Sequence, residues 1–263
     1  MYLGRVTSSS QIFPIERKSK EEKARIPAMD AIILAGGFGT RLRYVVPDLP
    51  KPMAPINERP FLEIQMEYWV GQGITRFILA VGYMKEVIQD HFHDRFQDIE
   101  VVYAEEHEPL GTGGAILNAA ELIDRDRDFI VMNGDTFFEV SLADLYTVHA
   151  TKEAEITIGL RELEINDRYS GVRLAPDSHI LEFQARDARW PENTVNGGIY
   201  VINKRMLSDT FFPSQRPLSW EDDVLPDLLG RSKRIYGHVM NGKFIDIGIP
   251  EDYERAQELL APS

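Results

Sequence analysis

Between Met29 and Asp135 the chain alternates two kinds of apolar pattern. Dense apolar runs of strand length, "AIILAGG", "RFILAVGY", "IEVVYA" and "DFIVMNGD", each stop at glycine or at polar residues, which predicts buried strands. Helix-spaced rows fall between them. After Pro60, Phe61, Ile64 and Tyr68, together with Leu62, Met66 and Trp69, fill adjacent i, i+3/i+4, i+7 rows and predict a helix with a broad apolar face. A second helix is expected over Lys85 to Phe96, and a third carries Ile116, Ala119, Ala120 and Ile123. Strands alternating with helices imply βαβ crossovers. The expected fold class is α/β, a Rossmann-like three-layer α/β/α arrangement around a mixed, mainly parallel central sheet.

Past about residue 155 the pattern changes. "EITIGL", "GVRLA", "HILEFQ" and "GGIYVI" are closely spaced strand candidates with turn residues between them and only one short helix, which predicts a smaller antiparallel part. The chain closes on "IPEDYERAQELL", where Pro250 opens a helix, Glu251 and Asp252 suit its positive end, and Tyr253, Ala256 and Leu260 face inward.

Residues 1–28 lack such periodicity. They carry Arg5, Arg17, Lys18, Lys20, Lys23 and Arg25 but neither the apolar segment nor the cleavage site of a signal peptide, and read as a mobile N-terminal extension. Met29 leaves open whether this is an upstream start or a functional arm. The remainder, 29–263, reads as one domain.

Composition narrows the partners. With 263 residues, 43% of them hydrophobic, the chain can bury a large core. The absence of cysteine removes thiolate metal sites and thiol nucleophiles, and points to a reducing, cytoplasmic setting. A formal net charge of −13 argues against nucleic acid and anionic membrane as partners, so an anionic ligand must be met by local cations. No apolar run is long enough to span a bilayer.

Those local cations follow the first strand, in "ILAGGFGTRLRYVVPDLPKPM". Glycines directly after a strand let backbone N–H groups converge on an anion, and phosphate is the usual guest. The spacing fits neither the P-loop nor the "GxGxxG" dinucleotide loop, which sets aside a dehydrogenase. By itself such a loop is equally a tight β-to-α turn. Arg41 suits bidentate phosphate contact, and Lys51, stiffened between Pro50 and Pro52, suits a point contact.

"GGFGTRL" and "LPKPM" together resemble the signature of the nucleoside-diphosphate-sugar pyrophosphorylases, the sugar-1-phosphate nucleotidylyltransferases, and the resemblance runs from Met29 to the C-terminus. It implies a nucleotide-binding half, 29–154, and a sugar-phosphate-binding half, 155–263. The resemblance places nucleotide contacts on Leu34, Ala35, Gly36, Gly37, Gly39, Thr40, Arg41 and Lys51, with Lys51 near the α-phosphate. Asp135 of "NGD" and Asp246 of "FIDIGIPEDY" are implied as the Mg²⁺ ligands, a pair suited to a hard cation. With Arg41 and Lys51 they form the expected catalytic set. In "EEHEPLGTGGAI", Glu106 and Gly111 are implied to meet the base, and a carboxylate at Glu106 could accept both donors of guanine. Asn133, Gly171, Asn196, Gly197 and Glu221 fall where the family meets the sugar phosphate. There Arg186 departs from the family's Glu-Lys pair, because the chain reads Phe183-Gln184-Ala185-Arg186. His91, His93 and His107 are not read as a metal site, since "HFHD" lacks helical ligand spacing.

Within the family, "YVVPDLPKPMAPINERPFLE", "EPLGTGGAI" and "NGDTFF" look most like D-glycero-α-D-manno-heptose 1-phosphate guanylyltransferases of bacterial surface-polysaccharide synthesis. GTP and that heptose phosphate are the implied substrates. Mannose 1-phosphate as acceptor, another sugar-1-phosphate nucleotidylyltransferase activity, and a catalytically silent, sugar-nucleotide-sensing homologue stay open, and the resemblance leaves room for a homodimer.

Overall fold

The computed structural model describes residues 26–124, 127–163, 169, 171–184, 193–208 and 217–261. Strand β1 (Met29–Leu34) is followed by a short hairpin, β2 (Pro55–Ile56) and β3 (Arg59–Pro60), and by α1 (Phe61–Gly71). Then come β4 (Ile74–Val81), α2 (Lys85–Phe92), β5 (Arg95–Phe96), β6 (Ile99–Glu105), α3 (Gly111–Ala120), β7 (Asp128–Asn133), β8 (Thr136–Phe138) and α4 (Leu142–Thr151). The second half contributes β9 (Ile156–Glu162), β10 (Gly171–Leu174), β11 (Ile180–Gln184), β12 (Thr194–Asn203), α5 (Lys204–Ser208), α6 (Leu225–Gly230), β13 (Ile235–Val239), β14 (Phe244–Asp246) and α7 (Pro250–Leu259).

Ten strands make one mixed sheet. Its centre, β7-β1-β4-β6, is parallel, as βαβ crossovers require. Side chains alternate strictly across it. Ile32, Ile78, Phe129, Val131 and Tyr200 join a core under α3 and α6, whereas Ala31, Ile33, Phe77, Leu79, Ile130 and Met132 join a second core under α1, α2 and α4. Burial on both faces explains the unbroken apolar runs, and each fully buried aliphatic side chain contributes roughly 1.5–3 kcal/mol. Ile26, three residues ahead of Met29, packs against the second core.

The antiparallel strands of the second half are not a separate layer. β12 lies antiparallel to β7 and also pairs with β9 and β10, so they continue the central sheet beyond β7. Among the described residues two short α-helices, α5 and α6, occur where one was expected. A further correction concerns α2, which stops at Phe92 rather than Phe96. His93 has φ 49°, the chain reverses, and Arg95–Phe96 pairs with β6 while the Phe96 ring packs on Phe92 at 5.7 Å. The helix-like spacing of those two phenylalanines is met by a hairpin instead.

The closing helix α7 packs as its pattern predicts. Ala256 is buried, and Tyr253 and Leu260 lie against a third cluster that includes Leu42, Phe61, Phe137 and Ile247. This cluster ties α7, β8 and β14 to the segment after the glycine loop. Among the described residues no helix is long and apolar enough to cross a membrane.

Candidate active site

A cleft of about 880 Å³ opens at the carboxyl ends of β1, β6 and β7, the edge where open α/β sheets take ligands. Its floor is built by four chain segments. β1 delivers the glycine loop at its end, and Ala35, buried behind the loop, donates its N–H to Ala80 O at 2.8 Å. Gly39 takes φ 56°, a conformation that favours glycine, and an added Cβ would stand 2.7 Å from Lys51 Cβ. The loop therefore rests directly on the lysine. Lys51 begins a 3₁₀ turn, Lys51–Met53, whose Pro52 and Met53 are buried, so its backbone is fixed from below.

From that base the Lys51 ammonium reaches 2.5 Å from Asp135 Oδ2 and 3.7 Å from Asp246 Oδ1. The carboxylates converge because β8 and β14 pair antiparallel, with Asp246 opposite Thr136, and Ile247 donates its N–H to Asp135 O at 3.0 Å. Gly248 donates its N–H to Asp246 Oδ1 at 2.7 Å. A Cβ at Gly248 would come within 3.4 Å of Arg41 Nη2, Lys51 Nζ and Asp246 Oδ1, which marks where the two cations meet the acid. Burial pushes the Asp135 carboxyl up, but the Lys51 ammonium and the Thr136 hydroxyl outweigh it and hold the group below the usual carboxylate range.

Across the loop, Glu106 Oε2 accepts the Leu110 N–H at 3.0 Å, and Oε1 lies where a Cβ on Gly36 would fall, 2.6 Å away. Burial raises its pKa, and the Leu110 contact only partly offsets this. Gly111 opens α3 against Leu218. Elsewhere in the cleft, Asn196 Nδ2 donates to Tyr200 OH at 2.8 Å, Tyr200 OH to Glu221 Oε1 at 3.1 Å, and Thr112 Oγ1 to Glu221 Oε2 at 3.2 Å. Glu221 itself sits on a π-helical turn, Trp220–Val224, a form often found at functional positions.

Leu34, Gly36, Gly37, Gly39, Thr40, Arg41, Lys51, Glu106, Gly111, Asn133, Asp135, Asn196, Gly197, Glu221 and Asp246 all line this one cleft. Two expected residues do not reach its lining. Ala35 is enclosed behind the loop, and Gly171 is buried within β10 opposite Gln184 and Val195, while Tyr169 lines the cleft nearby. Arg186 and Ala185 lie outside the described residues. The lining also holds residues that the sequence reading passed over: Thr112, Tyr200 and Gly248. Thr112 and Tyr200 act through Glu221, a partner remote in sequence, so neither leaves a local signal, whereas Gly248 acts on Asp246 within "FIDIGIPEDY".

Comparison with known proteins gives the arrangement its place. The family model "Nucleotidyl transferase" matches residues 30–262. The chain is 40% identical over 237 residues to D-glycero-alpha-D-manno-heptose 1-phosphate guanylyltransferase of Aneurinibacillus thermoaerophilus, covering 88% of this chain and 98% of that protein. It is likewise 40% identical over 225 residues to the enzyme of the same name from Campylobacter jejuni, covering 86% and 97%. The crystal structure of HddC from Yersinia pseudotuberculosis complexed with GMP-PN superposes with a TM-score of 0.74 at 36% identity, covering 88% and 99%. By sequence, fold and extent of match, the chain belongs to the nucleotidyl transferase family.

Proposed function

We propose that the protein transfers the guanylyl group of GTP to D-glycero-α-D-manno-heptose 1-phosphate, releasing pyrophosphate, with Mg²⁺ as cofactor. The observation that carries this reading is the meeting of Lys51, Asp135 and Asp246 at the floor of the cleft, beside Arg41 and under the glycine loop. Attack on phosphorus needs charge on its non-bridging oxygens neutralised and the reactants held in line. Lys51 and Arg41 supply fixed positive charge beside the loop that would hold the triphosphate. The two carboxylates suit Mg²⁺, which takes one or two protein carboxylates and fills its shell with phosphate oxygens and water. When bound, that ion supplies Lewis-acid charge to the phosphates.

The base assignment rests on Glu106. One of its oxygens is engaged by Leu110, which fixes the carboxylate beside Gly36, and an ionised carboxylate can accept from the N1–H and N2–H₂ donors of guanine. The sugar assignment rests on relatives that share 40% of their residues with this chain along nearly their whole length and carry that activity in their names. Displacement is direct: the sugar-phosphate oxygen forms the new bond to the α-phosphorus as the bond to pyrophosphate breaks. Phosphorus NMR of GTP, heptose 1-phosphate and Mg²⁺ with the protein should show GDP-heptose and pyrophosphate growing together. Label from α-³²P-GTP retained covalently on the protein in the absence of sugar phosphate would contradict direct displacement.

A further inference from the structure

The buried face of α1 carries one residue that packing does not explain. Gln65 is 1% exposed among Phe61, Leu62, Met66 and Trp69, where an aliphatic side chain would fill the same space. Its amide nitrogen donates to the carbonyl of Asn133 at 2.9 Å and to the carbonyl of Thr136 at 2.8 Å. Those carbonyls bracket Gly134 and Asp135. One side chain therefore holds both ends of the turn that presents the carboxylate. The middle of the turn is pinned separately. Gly134 N donates to Leu34 O at 3.0 Å, and Ile247 N donates to Asp135 O at 3.0 Å.

We propose that Gln65 is a positioning residue for Asp135, setting the direction from which its carboxylate meets Lys51 and the metal. The inference rests on reading Asp135 as a metal-holding carboxylate of nucleotidyl transfer. The physical basis is the cost of a buried carbonyl without a donor. Once the amide is gone, the Asn133 and Thr136 carbonyls must turn toward other donors or water, and Asp135 turns with them. Partners that orient metal ligands from behind typically carry about 10- to 100-fold in metal affinity or activity.

The test uses Gln65→Met, which keeps volume and removes both donors, with Gln72→Met as control. Gln72 caps the same helix, where its Oε1 accepts the Leu142 N–H at 3.1 Å, and it is not part of the cleft lining. Mn²⁺ binding to the GTP complex, read by electron paramagnetic resonance, should weaken by roughly 10-fold or more in Gln65→Met, and kcat should fall comparably. Binding of metal-free GTP should stay within about threefold, since the interaction lost orients the metal ligand rather than the nucleotide, and KM for metal–GTP should rise by no more than metal affinity falls. Gln72→Met should lower Tm and leave metal binding at the wild-type level. Gln65→His, which keeps one N–H donor, should fall between and serves alone if Gln65→Met does not fold. Wild-type Mn²⁺ affinity in whichever Gln65 variant folds would overturn the inference while leaving the proposed reaction standing. A wild-type GTP complex that binds no Mn²⁺ would overturn both.

Discussion

Replacing Lys51 by methionine removes the ammonium that reaches both site carboxylates, and its consequences divide into a kinetic and a thermodynamic part. Loss of one preorganised charge stabiliser lowers kcat by about 10²–10³, or roughly 2.7–4 kcal/mol. Because that charge matters most as negative charge shifts at the α-phosphorus, kcat and kcat/KM should fall together, with KM for GTP moving less. For stability, Lys51 is 10% exposed, but its partners Asp135 and Asp246 are 37% and 17% exposed. Breaking a fully buried pair costs about 3–5 kcal/mol and an exposed pair about 1 kcal/mol or less, so this partly open pair should cost roughly 1–3 kcal/mol. At about 2–4 °C per kcal/mol for a domain of this size, the melting temperature should drop by roughly 2–12 °C.

The same pair gives the change a pH signature. In the wild type the Asp135 pKa is held below its unfolded value, so its contribution is present above the ordinary carboxylate pKa. It is lost as pH falls through the lowered, folded value. Without Lys51, burial is opposed only by the Thr136 hydroxyl and a backbone contact, so acid costs the variant less of this contribution. The Tm gap between wild type and Lys51→Met should therefore narrow toward acid pH. Steady-state pyrophosphate release and scanning calorimetry read the two parts. Turnover within a few-fold of wild type, or a Tm gap that widens in acid, would refute the reasoning.

Glu106→Ala should reduce the preference for GTP over ATP by about 1–3 kcal/mol, the worth of one matched set of base contacts, read as the ratio of kcat/KM values. Since burial raises the Glu106 pKa and only its ionised form accepts from both guanine donors, KM for GTP in the wild type should climb as pH falls toward that raised value. Gly36→Ala places a Cβ 2.6 Å from Glu106 Oε1 and 3.2 Å from Gly82 N. The flexible carboxylate should yield before the fold does, raising KM for GTP with little change in Tm. Removing residues 1–25 should leave kcat and Tm near wild type, because their sequence carries no periodic apolar face to dock.

The first half of the domain was legible because its signals are local. A β1 buried on both faces, glycines where Gly39 needs a positive φ, and a lysine stiffened by prolines all sit within one short stretch. The closing helix was equally plain, since Pro250 and the row Tyr253, Ala256, Leu260 set its start and its face. What the sequence hid is non-local. Insertion of β12 between β10 and β7 depends on pairing across more than 60 residues, and nothing in "GGIYVI" specifies it. Gly171 resembles a site glycine by motif, and its pairing in β10, away from the cleft lining, comes from partners that the motif does not specify. Gln65 is a single polar residue on an apolar face, and its purpose is visible only once Asn133 and Thr136 are brought to it.

The central claim is guanylyl transfer to a heptose phosphate, and a matrix of the four NTPs against heptose, mannose, glucose and N-acetylhexosamine 1-phosphates, read as pyrophosphate release, tests it most directly. GTP with D-glycero-α-D-manno-heptose 1-phosphate should give the highest kcat/KM. Mannose 1-phosphate, which lacks one hydroxymethyl contact, should be slower by about 10- to 200-fold. A clear preference for UTP or dTTP, or no pyrophosphate with any pair, would contradict the account.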